Sequence, residues 1–273
     1  MDAIMTSDVR HFWRHGWVHI PQLHTPEEVE ILRETFSRAT EEQAGKSRQS
    51  VEGQRVFAIL RDLQREYSEV RPICLSHRVA EVTRGLLGAK HVRLFSEAYL
   101  NKPSGGLGTA WHQDWTAHPF DRRDSVNVYV ALDDMGPEQG AIEIVSGSHR
   151  LGPLYMPNDF GQNLRLVDLV NQYDIELMWN LAAEGDIEKE GVPVRAAGLS
   201  AGDALIWAGL SIHGAPPNTT SGLRRAYVRV WMNADVCFTG MPFPVKSSVD
   251  PLGERSELTP GAPFELDRFP IVA

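Results

Sequence analysis

The residues of this chain best suited to chemistry are the run Trp111-His112-Gln113-Asp114-Trp115 and, far downstream, His213. On a strand, residues i and i+2 point to the same face about 6–7 Å apart, so His112 and Asp114 could reach one ion. Imidazole plus carboxylate suits a divalent first-row metal. A second imidazole completes the set of two His and one carboxylate that leaves coordination positions open, the arrangement of non-haem Fe(II) oxygenases. A His-x-Asp pair alone is weak evidence and is more often a surface His beside an Asp. His213 is the support: Gly202-Asp203 makes a tight turn, Ala204-Leu205-Ile206-Trp207 is an apolar strand, and the His follows near its end. Eleven positions later, Arg224 enters another strongly β-like run. A buried Arg beside such a metal can grip a carboxylate of a co-substrate through two parallel hydrogen bonds, although Arg224 alone reads as an ordinary ion-pair residue.

Positioning these groups requires strands, and the chain supplies them in its second part. Val9 to Trp17 reads as a short helix stopped at Gly16, followed by a short strand from Trp17 to Pro21. Thr25-Pro26-Glu27-Glu28 is a helix start: Thr25 caps, Pro26 suits the first helical position, and Glu28 completes a capping box. Val29, Leu32, Phe36 and Ala39 then recur at helical spacing. Arg78 to Leu87 reads as another helix, closed by Gly88. From His91 the texture changes to short β-rich runs at 92–95, 126–132, 141–145, 204–207 and 226–232, separated by Gly, Pro and Asp. Helices first and short strands after predict an α+β domain with a jelly-roll core. The polar stretch 158–190 is expected to be an insertion, possible as a lid, and the Pro- and Gly-rich tail from Pro242 to wrap the surface.

Composition narrows the function further. With 273 residues and 42% hydrophobic residues, the chain can build a full core, read here as one domain over 1–273. The formal net charge of −9 suits neither a phosphate backbone nor nucleic acid as partner. No apolar run approaches the ~18 residues of a membrane span, and the first residues do not form a secretory signal, so a cytoplasmic protein is expected. Cys74 and Cys237, far apart, predict free thiols rather than a disulfide or thiolate metal site.

Taken in order, the motifs resemble those of the phytanoyl-CoA dioxygenase family of Fe(II)/2-oxoglutarate oxygenases. The carriers are His11-Phe12-Trp13 with Gly16-Trp17-Val18, then Asn101-Lys102-Pro103, Trp111-His112-Gln113-Asp114, Ala131-Leu132-Asp133-Asp134, Gly140-Ala141-Ile142, Gly147-Ser148-His149-Arg150, Gly202-Asp203, and His213-Gly214 through Pro217-Asn218 to Arg224-Arg225-Ala226. The resemblance spans about Asp8 to Met232. It implies a double-stranded β-helix with flanking N-terminal helices. It implies His112, Asp114 and His213 as iron ligands and Arg224 as the grip on the distal carboxylate of 2-oxoglutarate. It also implies O2 as oxidant, with 2-oxoglutarate decarboxylated to succinate and CO2 while a C–H bond of a small organic molecule, read as a secondary metabolite, is hydroxylated, desaturated or cyclised. Asp114 stands where related halogenases lack a carboxylate, which favours these outcomes over halogenation. Strand alternation lets only one of Arg224 and Arg225 point inward, and the spacing from His213 favours Arg224. Three residues before the first ligand, where the family often contacts 2-oxoglutarate, stands Thr109. Two residues after the distal His, where the family often has Ser or Thr, stands Ala215; Thr109 or Arg55 could replace that contact.

Among the remaining residues, Trp115 and His118 are expected to face the substrate. His149 reads as a loop anchor, and Trp207 and Trp231 as core. His11, His15, His19 and His24 read as surface or helix residues. The competing readings are a non-catalytic jelly-roll binding protein and a 2-oxoglutarate-independent metalloenzyme on the same barrel. Burying His112, Asp114 and His213 together without a metal to satisfy them would be costly, which argues against a purely structural module.

Overall fold

A computed structural model describes residues 4–42, 50–51, 54–55, 58–154, 166, 175–196, 198–241 and 257–273. The N-terminal part opens with α1 (Thr6–His15), β1 (Trp17–Ile20) and α2 (Pro26–Glu42). Gly16 makes the sharp turn from α1 into β1 in the left-handed region (φ 80), and its N–H closes the helix on the Phe12 carbonyl. A Cβ here would also lie 2.4 Å from Nδ1 of His149, so the turn demands glycine twice over. The expected capping box is present: the Glu28 N–H donates to Thr25 Oγ1 and the Thr25 N–H to Glu28 Oε2.

Next come β2 (Ser50–Val51), β3 (Gln54–Arg55), β4 (Ala58–Arg61), α3 (Leu63–Glu66), α4 (Val70–Cys74) and α5 (His77–Leu87), which ends on Gly88 in the left-handed region. The β-rich part contains β5 (Val92–Lys102), β6 (Thr109–His112), β7 (Ser125–Ala131), β8 (Glu143–Val145), α6 (Ile175–Asn180), β9 (Ile187–Lys189), β10 (Val192–Arg195), β11 (Ala204–Ala208), β12 (His213–Ala215) and β13 (Arg224–Asn233).

Two antiparallel sheets face each other. The major sheet has the order β1-β11-β7-β13-β5-β4, and the minor sheet β6-β12-β8-β10-β9. This is the expected jelly roll with helices at its flank. Period-two alternation divides the side chains. Val126, Val128 and Val130 of β7 join Leu32, Phe36 and Tyr227 in a core between the major sheet and the helices. Tyr129 and Ala131, one position out of phase, join Leu205, Trp207, Ala226, Ile144 and Ala215 inside the barrel. The back of the minor sheet, with Val145, Val194 and Ile212, is covered by Met178 of α6 and by Leu166. Of the stretch 158–190 expected as an insertion, 158–165 and 167–174 lie outside the described residues, and 175–190 contains α6 and the edge strand β9 of the minor sheet.

Several boundaries differ from the sequence expectation. β5 continues to Lys102 instead of ending at Phe95, because it pairs β13 along nearly its whole length with a bulge near Val230. Of the tail, residues 242–256 lie outside the described ones. The rest does more than wrap the surface, since Phe264 and Phe269 are fully buried beside Phe95 and Phe120. The expectation that the early histidines are surface or helix residues holds for His15, which ends α1, and needs correcting for His24. His15 is buried and its Nδ1 donates to the Leu181 carbonyl. His24 is wholly buried: Arg229 donates to its Nε2 (2.7 Å), and its Nδ1–H donates to Glu28 (2.8 Å). Long-range pairing of this kind leaves no trace in local spacing. Both cysteines are free, and among the described residues no helix is long and apolar enough to cross a membrane.

Candidate metal centre

His112 ends β6 and His213 begins β12, and the two are direct cross-strand partners. Residues opposite each other in an antiparallel pair share a face, so both rings enter the barrel, 4.2 Å apart between centroids. Asp114 arrives differently from the sequence argument. It has left the strand and sits in a helical conformation (φ −70, ψ −36) at the head of a 3-10 turn, Trp115–Ala117. The turn is held by the Trp115 N–H on the Gly209 carbonyl and by buried Gln113. The Gln113 amide donates to Gly152 and Leu210 carbonyls and accepts from the Leu154 N–H. A bend, not strand alternation, brings the carboxylate back over the two rings. Gly214 is needed for the close packing of β12 on β6: a Cβ there would lie 3.0 Å from the Thr109 carbonyl and 3.2 Å from the Trp111 ring.

The geometry fits a metal. Ligand atoms of His112, Asp114 and His213 all lie within 4.8 Å of one another. His112 Nδ1 faces the Ala110 carbonyl at 2.8 Å, and His213 Nδ1 faces the Ser211 carbonyl at 3.0 Å. A carbonyl only accepts, so both rings carry their proton on Nδ1 when neutral and turn an Nε2 lone pair inward. Those lone pairs meet the Asp114 oxygens at 3.3 Å and 3.2 Å. Three acceptor groups facing one another repel unless a cation lies among them. The electrostatics agree. Burial alone would raise the Asp114 pKa, but the His213 and His112 imidazoles outweigh it and hold the carboxyl well below its ordinary range. Burial opposes charge on His112, yet the Asp114 carboxylate raises its pKa above that of a free imidazole.

Arg224, at the start of β13, is buried. It is in phase with Ala226 of the barrel interior, and its Nε has no partner among the described residues. It hydrogen-bonds and electrostatically influences Tyr129, whose hydroxyl is raised in pKa by burial and lowered in part by this guanidinium. Arg225 points the other way and forks onto Asp133 at 2.9 Å and 2.6 Å. The expected division between the two arginines is what the strand produces. Thr109 is the cross-strand partner of Ala215, which lines the barrel, so its hydroxyl is on the side where a Ser or Thr at 215 would have been. The Arg55 side chain lies outside the described part of the structure.

Trp115 is half-buried and packs against the aromatic cluster of the tail, its Nε1–H donating to the Arg122 carbonyl. His118 packs against Phe95 and Phe120. Burial pushes its pKa down to about 4, against the pull of Asp114 and with the help of Arg61. His149 is the loop anchor expected, bonded to the Trp13 carbonyl.

Sequence reasoning missed three contributors. Trp207 is core, as read, and its ring also lies 4.8 Å from that of His213. Arg61 on β4 pairs with Ala98 and therefore faces the barrel side. Its surface is open to solvent, yet desolvation by the surrounding protein lowers its pKa against the pull of Asp62, Glu97 and Asp114. Asn127 also points inward, opposite Trp207. For Asn127 a signal was available: Ser125, Asn127 and Tyr129 alternate with valines along one strand, a polar face on a fully buried element.

The family model described as phytanoyl-CoA dioxygenase (PhyH) matches residues 12–226. The chain is 28% identical over 89 residues to a probable alpha-ketoglutarate-dependent hypophosphite dioxygenase of Stutzerimonas stutzeri, a match spanning 33% of this chain and only 30% of that protein. It is 24% identical to a methylphosphonate hydroxylase of Gimesia maris over 231 residues, 82% of this chain and 80% of that one. Among solved structures it is similar to the epimerase SnoN in complex with Fe3+, alpha ketoglutarate and nogalamycin RO, with 26% identity, a TM-score of 0.75 and 98% of each chain covered. The carbocyclase SnoK of nogalamycin biosynthesis, at 24% identity and a TM-score of 0.77 over 100% of this chain and 99% of that one, shares the fold.

Proposed function

The chain belongs to the phytanoyl-CoA dioxygenase family of iron- and 2-oxoglutarate-dependent oxygenases, and we propose that it oxidises a C–H bond of a small organic molecule at a centre formed by His112, Asp114 and His213. The observation that carries this is the pair of inward lone pairs, each fixed by an Nδ1–H bond to a backbone carbonyl, facing one carboxylate. Fe(II) held there would supply the oxidising chemistry with O2, coupled to decarboxylation of 2-oxoglutarate to succinate.

The protein's own part is orientation and shielding. Nε2 of His112, Nε2 of His213 and the Asp114 carboxylate would hold the ion from one side and leave the other side for the co-substrate. Arg224 would fork onto the distal carboxylate of 2-oxoglutarate, with Tyr129 beside it and Thr109 as a further contact from the minor sheet. Leu205, Trp207, Ile144 and Ala226 form the apolar wall that keeps water out. Trp115 and His118, on the turn that carries Asp114, would face the substrate.

Full-length likeness to SnoN supports a secondary metabolite as substrate, whose reaction is hydroxylation, desaturation or ring formation. A second reading, a substrate carrying an anionic group, is favoured by the exposed cation of Arg61 near Asp114 and by the methylphosphonate hydroxylase relative. Anaerobically Fe(II)-loaded protein given 2-oxoglutarate, O2 and a panel holding both kinds of substrate decides between them. Succinate formation above the no-enzyme control is expected, stimulated by the true substrate; no succinate under any condition would remove the proposal.

A further inference from the structure

Asn127 is 1% exposed, and neither Nδ2 nor Oδ1 has a hydrogen-bond partner among the described residues. Its neighbours on the same inward row repeat the pattern. Trp207, its cross-strand partner, has an unpartnered Nε1, and Ser125, two positions along the same face, an unpartnered Oγ. A fold seldom leaves a whole row of buried polar atoms unsatisfied unless a polar ligand completes them. The row lies at the level of the metal ligands, since the Trp207 ring is 4.8 Å from that of His213. Arg224 and Tyr129 form the other polar end of the same interior. Between them the wall is apolar, with Ala226 and Leu205. Two polar ends and an apolar middle match a dicarboxylate with a short methylene spacer.

We infer that Asn127 positions the oxalyl end of 2-oxoglutarate, its Nδ2–H donating to the C1 carboxylate, while Arg224 takes the C5 carboxylate. The inference rests on the reading of this centre as an iron and 2-oxoglutarate site. Asn127 is a positioning residue: it orients the chelating end and exchanges no atom with it. The Trp207 indole N–H, opposite it in register, belongs to the same cradle.

Two probes separate the two ends. Oxalate reproduces only the chelating end, and 2-oxoglutarate both. Each is titrated by calorimetry into the full-length, anaerobically Fe(II)-loaded protein, as wild type, Asn127→Leu, Asn127→Ser and Arg224→Leu. Both Asn127 variants are expected to bind Fe(II) as wild type does and to lose about tenfold or more in affinity for both probes. Arg224→Leu is expected to lose affinity for 2-oxoglutarate but not for oxalate. Asn127→Leu, similar in volume and without unsatisfied atoms, is expected to melt no lower than wild type without ligand, and Asn127→Ser supplies the same readout with a smaller side chain. Unchanged oxalate binding in a folded Asn127 variant would overturn the assignment. A wild-type protein that binds Fe(II) but not 2-oxoglutarate would instead overturn the reading on which it rests.

Discussion

Arg224 and Arg225 are neighbours in sequence with opposite surroundings, and they separate function from stability at the scale of single residues. Arg224 faces the barrel with Nε unpartnered, whereas Arg225 is spent on Asp133. Arg224→Ala is expected to weaken 2-oxoglutarate binding on the order of 100-fold, within the ~2–5 kcal/mol of truncating one partner of a buried charge pair. The unliganded melting temperature should hardly move. Arg225→Ala should do the reverse, losing about 1–3 kcal/mol of a charge-assisted pair in denaturant titration while 2-oxoglutarate affinity stays. Calorimetry and urea unfolding on both variants test the contrast, and equal effects on binding would contradict the assigned faces. For the ligands, His213→Ala removes one of three donor groups. It is expected to abolish stoichiometric Fe(II) binding at micromolar metal, measured by metal analysis after desalting, and succinate formation with it.

At the scale of elements, α2 is fixed to the barrel by a chain of hydrogen bonds that starts in the major sheet. Arg229 of β13 donates to His24 Nε2, His24 Nδ1–H donates to Glu28, and Glu28 closes the capping box on Thr25. Thr25→Ala should cost about 1 kcal/mol, the usual worth of an N-cap. His24→Ala should cost more, about 2–3 kcal/mol, because it takes the acceptor from one buried Arg229 N–H while the Ile73 carbonyl keeps another. The same chain sets an acid limit. Burial first, and then Arg229, holds His24 down to about 4 from its ordinary 6.5. Folded protein therefore resists the proton that the unfolded chain accepts, and stability present above pH 6.5 erodes as pH falls toward 4. Burial would raise Glu28, but its bonds to His24 and the Thr25 N–H hold it at about 2 instead of 4.5. Its contribution is full above pH 4.5 and is lost as pH falls toward 2. The two groups act in the same direction. Urea midpoints measured from pH 7.5 down to 4 should fall steadily, and less steeply in His24→Ala.

The whole molecule is a barrel into which both sheets turn polar side chains: the minor sheet His112 and His213, the major sheet Arg224, Tyr129 and Asn127. Ligands that bridge both halves should stabilise the fold as a unit. Fe(II) with 2-oxoglutarate at about 100 times the dissociation constant is expected to add ~2.7 kcal/mol, roughly 5–10 °C in melting temperature for a chain of this size. A chelator should reverse the gain, and a melting temperature indifferent to both would argue against a shared site. Much of this molecule was legible beforehand, because it was written in local chemistry. The capping box at Thr25, the Gly16 and Gly88 stops, the inward phase of Arg224 and the ligand types themselves follow from rules that act over a few residues. The ordered motifs from Asn101 to Ala226 carried the family. Contacts between distant segments were not legible. Asp114 reaches the two histidines through a bend held by Gln113 and Gly209, not through strand alternation. His24 is buried because Arg229, far along the chain, lies over it, and the tail packs its phenylalanines beside Phe95. Local sequence determines what a residue can do and which way it faces on its own element. Only the pairing of sheets, set by the summed burial of many side chains, decides which residues meet: His112 with His213, and Asn127 with Trp207 beside the His213 ring.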